Sequence, residues 1–140
     1  MKIKFLYEED IETFGALINE AVWHKNLCTY VKNTFTMTMN RICWESHHNM
    51  QKEYEKLFND KHVKHPIRAI SQIIIKNVYK VEINKKLDKF LQVNHVNMEI
   101  AEEHTAKIIF HFNNGKLCCN ISSLEILLHN ISSEFHSYKR

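Results

Sequence analysis

The sequence predicts an α+β domain built on a mostly antiparallel sheet, and three observations predict it. Short runs that alternate apolar with polar residues recur along the chain, as in "TFTMTM" at 34–39. Hairpin-length turn signals separate several of them, and helical spacing is confined to a few segments. The 140 residues, 44% of them hydrophobic, suit one domain spanning 1–140 that buries a core without disulfides or metal. Two Gly and one Pro leave no linker at which to divide it.

In chain order, "KIKFLY" reads as a short strand and Asp10 stands where a helix cap would. Ile11, Phe14, Leu17, Ile18, Ala21 and Val22 recur at three- and four-residue spacing, predicting an early amphipathic helix over 11–22. "LCTYVKN" and "TFTMTMNRICWE" then pair as a hairpin. Within the second, Phe35, Met37 and Met39 are odd-numbered, whereas Ile42 and Trp44 are even. A β-bulge near Asn40 or Arg41 would return both sets to the core face.

Residues 46–65 lack strand alternation, and Met50, Tyr54, Leu57 and Phe58 suggest a short helix closed by Pro66. "IRAISQIIIKNVYKVEI" reads as one long, bent strand and "FLQVNHVNMEI" as another. "NNG" at 113–115 marks a hairpin between "KIIFHF" and "KLCCNI". Ser122 or Ser123 can cap a C-terminal helix carrying Leu124, Leu127, Leu128, Ile131 and Phe135. The total is about seven strands, an early helix and a closing helix, an order shared with pleckstrin-homology-like barrels.

Function is less visible than architecture. Nineteen basic against sixteen acidic residues give a formal charge of +3, too little concentrated charge to point to nucleic acid. Lys64, Arg68, Lys85, Lys86 and Lys89 would have to converge on one face to make such a binder. The charged N-terminal stretch is unlike a signal peptide and no run reaches a membrane span, so the expectation is a cytoplasmic protein with no membrane partner. Cys28, Cys43, Cys118 and Cys119 are then read as reduced thiols, the last two pointing to opposite faces of a strand.

No nucleophile elbow or phosphate-cradling Gly-rich loop occurs, so no catalytic residue and no cofactor are assigned; the alternative is a small enzyme whose Cys and His meet in space, which predicts a deep pocket holding them beside a carboxylate. Cys43, His47, His48, His62 and His65 fall at single ligand spacings but lack the paired turns of a zinc signature, and no metal is assigned.

The most specific stretch is "MNRICWES" at 39–46. Sixteen Lys against three Arg, with sixteen Ile and fourteen Asn, suggest an AT-rich genome and single out Arg41. Arg41 can grip a carboxylate or phosphate bidentately, and Trp44 offers flat apolar area, so Arg41, Trp44 and Glu45 form the candidate contact for a protein partner. The competing reading is structural, with Arg41 paired to Glu45 or Glu9 and Trp44 packed under the closing helix.

"FLYEEDIETFGALINEAV", "TFTMTMNRICWE", "IRAISQIIIKNV" and "GKLCCNISSLEILLHNIS" together resemble a family of small uncharacterised alphaproteobacterial proteins whose strand ends in Asn-Arg-aromatic-x-Trp-Glu. Ile42 and Cys43 depart from that pattern. The resemblance implies an alphaproteobacterial source and no activity, leaving a non-catalytic protein-binding or adaptor module as the expected role.

Overall fold

A computed structural model describes residues 1–46, 66–84, 87–102 and 104–136. Their architecture is mostly β: ten strands form one open antiparallel sheet, with a short early helix. In chain order these are β1 (Lys2–Phe5), a 3-10 turn (Glu8–Asp10), α1 (Ile11–Leu17), β2 (Val22–Val31), β3 (Thr34–Ile42), β4 (Ile67–Ile75), β5 (Val78–Ile83), β6 (Phe90–Ile100), β7 (Ala106–Phe112), β8 (Gly115–Ile121), β9 (Ile126–Asn130) and β10 (Phe135–His136). The spatial order is β1-β9-β4-β3-β2-β6-β7-β8-β5, with β10 alongside β4.

Two expected hairpins form. β2 and β3 are joined by Lys32 and Asn33, both at positive φ, the geometry that matches the twist of paired strands. β7 and β8 meet at Asn113–Asn114, and Gly115 follows at φ +150°. A Cβ at Gly115 would lie 2.5 Å from Leu87 Cδ2, so glycine is required there by backbone and by space. Gly115→Ala should destabilise the protein by more than about 1 kcal/mol, read as a lower urea midpoint.

The expected long strand over 67–83 is two strands. β4 ends at Ile75 and β5 starts at Val78, with Asn77 at φ +60° between them. That corner is held by bonds from the Lys76 N–H to Glu125 O and from the Ser122 N–H to Asn77 O. β4 lies near one end of the strand order and β5 at the other, so two residues of connection force the sheet to curl around a core. Phe14 on α1 enters that core against Phe5 and Phe110, with ring centroids 5.2 and 6.1 Å away. Gly15 lets α1 approach β6, since even a Cβ there would sit 3.4 Å from Val96.

Several expectations are corrected. The early helix stops at Leu17, not Val22, because Val22 and Trp23 open β2 and join β6. No helix closes the chain among the described residues. Ile126 and Leu128 are fully buried, and with Asn130 they alternate along β9, which pairs with β1 and β4. Leucines at 124, 127 and 128 fit a helical face, but so short a run also fits a buried strand, and the two open strand edges decided it. Without a closing helix the pleckstrin-homology-like order falls. Seven strands become ten, and α+β becomes mostly β. The suggested helix within 46–65 lies outside the described residues.

Nor is there a bulge at Asn40 or Arg41. β3 and β4 stay in register from Phe35 opposite Ile75 to Ile42 opposite Arg68. The irregularity falls on β2, where Trp23 faces Met39 and Cys28 already faces Met37.

Candidate functional site

The unbroken register places Arg41 on the core face, after Phe35, Met37 and Met39. The inward rungs across β3, β4, β9 and β1 run Phe35-Ile75-Ile126-Phe5, then Met37-Ile73-Leu128-Ile3, then Met39-Ser71-Asn130. The core thus turns polar at its end, and Arg41, opposite Ala69, fills the next position with no exposed surface.

A buried guanidinium needs acceptors for five N–H groups. Nε donates to Ser71 Oγ at 3.2 Å. Nη1 donates to Leu17 O at 3.2 Å, Ile42 O at 3.3 Å and Glu45 Oε2 at 2.9 Å. Nη2 donates to Glu45 Oε1 at 2.8 Å and Asn130 Oδ1 at 3.0 Å. The Ser71 hydroxyl in turn donates a hydrogen bond to Asn130 Oδ1 at 2.8 Å. One side chain therefore ties the end of α1, β3, β4 and β9 to the residues that follow β3. Of the two pairings expected for Arg41, Glu45 is the one made, and it is bidentate.

Glu45 lies at the protein surface. Its partial burial pushes the carboxyl pKa up, but hydrogen bonds and charge from Arg41 outweigh this and hold it below its ordinary value. The folded state then binds fewer protons than the unfolded one. Its contribution is complete above the unfolded value and is lost as pH falls through the depressed folded value. Urea midpoints measured from about pH 6 to about pH 3 should fall on the acid side, and Glu45→Gln should flatten part of that fall.

Trp44 is half-buried and its indole N–H donates to Asn19 O at 2.9 Å, so it hooks onto the turn after α1 in place of the expected closing helix. Ser46 Oγ donates to Glu134 Oε1 at 2.7 Å, bringing a second carboxylate beside Glu45. Cys43 Sγ and carboxylate oxygens of Glu45 and Glu134 lie within 4.8 Å of one another. A cation there would face the Arg41 guanidinium, whose Nη2 is 3.9 Å from Cys43 Sγ and already neutralises Glu45. Burial also pushes the Cys43 thiol up to about 11, keeping it protonated at neutral pH.

His47, His48, His62, His65, Lys64, Lys85 and Lys86 lie outside the described residues. Lys89 is exposed, whereas Arg68 is half-buried and donates to the backbone and side-chain oxygens of Asn40. Cys118 and Cys119 do point to opposite faces. Both are nevertheless buried, Cys119 in the main core and Cys118 outside it, and burial raises both thiols. Sequence reasoning missed Ser71 and Asn130. Each is the polar residue at an inward position of an otherwise apolar strand, a pattern that itself signals a buried polar partner.

The family described as "Protein of unknown function (DUF2948)" matches residues 1–140. The chain belongs to that family. No curated protein and no solved structure matches it. Among the described residues of this DUF2948 member, no helix is long and apolar enough to cross a membrane.

Proposed function

We propose that this protein, alphaproteobacterial and cytoplasmic, is a non-catalytic binding module that contacts a protein partner through the surface around Trp44 and Glu45. Arg41 serves that surface as the buried positioning residue. The observation that carries the reading is apolar surface at the clamp itself: Met1 is 42% exposed and its Sδ lies 4.0 Å from Arg41 Nη2, and Trp44 is half-buried. Apolar area with the Glu134 carboxylate nearby, the one that Arg41 does not neutralise, suits a partner segment that combines an apolar anchor with a basic side chain.

The protonated thiols and the full engagement of the Arg41 donors support binding over catalysis. A photo-crosslinking residue placed at position 44, with Thr36 on the outer face of β3 as control, tests the proposal in the cells that make the protein. A discrete adduct with one protein from position 44, absent from 36 and lost in Glu134→Arg, supports it. No adduct, or the same adducts from both positions, contradicts it.

A further inference from the structure

The outward face of β6 and β7 carries a second cluster, separate from the Arg41 clamp. The irregularity between Val93 and His95 in β6 sets His95 directly opposite His111 on β7. Their ring centroids are 5.4 Å apart and the planes are inclined by 33°. His111 Nε2 lies 2.5 Å from Asn97 Oδ1. An amide oxygen only accepts, so Nε2 carries the proton and the free lone pair of the neutral His111 ring is on Nδ1.

We infer that His95 and His111 form a cross-strand two-imidazole site for a late first-row divalent transition ion of the Cu2+ or Zn2+ class, completed by water. With metal–nitrogen bonds of about 2.0–2.1 Å, an ion shared by two imidazoles near the tetrahedral angle holds their ring centres roughly 5 Å apart, close to the separation observed. Asn97 plays the part that a carbonyl or carboxylate plays behind a ligating histidine, fixing the tautomer and the ring orientation.

The remaining charges around the pair are mixed. Burial, then His95 and then Lys116 lower the His111 pKa, and Glu99 opposes them. The net effect favours the neutral, ligating ring at neutral pH. Lys116, opposite His111 on β8, repels a cation and keeps the affinity modest. His95 is exposed, which leaves the pair open to an ion from solvent. Imidazole suits Cu2+ and Zn2+, and Cu2+ binds such nitrogen sites more tightly.

Because the chain has ten histidines, the test must report position. Substoichiometric Cu2+ added to 15N-labelled protein should first broaden the backbone amide signals of residues 93–97 and 109–112. His95→Ala should abolish that pattern while leaving the rest of the spectrum in place. Asn97→Ala should weaken binding by about tenfold, and Zn2+ should compete for the same signals. Broadening centred only on other histidines, or unchanged in a folded His95→Ala variant, overturns the assignment.

Discussion

Arg41→Ala should lower stability by about 3 kcal/mol, the cost of removing one member of a buried charged pair. At the usual urea slopes this moves the midpoint down by about 1–3 M. The loss has several sources. The carbonyls of Leu17 and Ile42 lose a charged donor, Asn130 Oδ1 loses one of its two, and the side-chain volume is left empty. Glu45 is at the surface and rehydrates, which places the expected cost at the lower end of the range for buried pairs. Arg41→Lys keeps the charge but offers three donors from a single nitrogen, so it should fall between wild type and alanine. An alanine variant as stable as wild type would remove the clamp from the account.

Trp23→Ala should cost about 3–5 kcal/mol, the range for a large aromatic cut from a core. Trp23 is fully buried and stacks on Phe112 with ring centroids 5.4 Å apart. It sits where β2 pairs with β3 on one side and with β6 on the other, and the β2–β6 seam spans only Val22–His24. Its indole N–H also donates to Leu27 O at 3.1 Å, bracing the irregular stretch of β2 between Trp23 and Cys28. The mutation therefore strikes the join between the two parts of the sheet. Trp23→Phe keeps a ring against Phe112 and loses the hydrogen bond, so it should cost clearly less. Chemical denaturation followed by circular dichroism measures both, since the change removes one of the two tryptophans that fluorescence would use.

The β7–β8 hairpin was legible because its turn carries local chemistry, Asn113 to Gly115, and the β2–β3 hairpin because two alternating runs lie only a few residues apart. The closing segment was not, because "LEILLHN" fits a helix stripe and a buried strand equally, and β1 and β4 decide between them from far away in sequence. The corner at Asn77 was hidden for a related reason. Strand residues continue on both sides of it, and only pairing partners show that β4 and β5 serve different parts of the sheet.

At the site, Arg41 and Glu45 stood out as a pair, yet the parity argument misplaced Arg41. It assumed that Ile42 and Trp44 share the core face of Phe35, Met37 and Met39, whereas Ser71 and Asn130 supply acceptors that let a guanidinium take the next inward position. Those acceptors lie 30 and 89 residues away, beyond the reach of any local pattern.

The central claim is that Arg41 is a buried clamp whose donors are all engaged within the chain. Arginine side-chain NMR tests it most directly, because the sequence contains only three arginines. The Arg41 Nε–H should exchange with solvent far more slowly than that of the half-buried Arg68, and its Nη protons should be separately resolved by restricted rotation. An Arg41 signal that exchanges as fast as that of Arg68, with averaged Nη protons, would contradict the account.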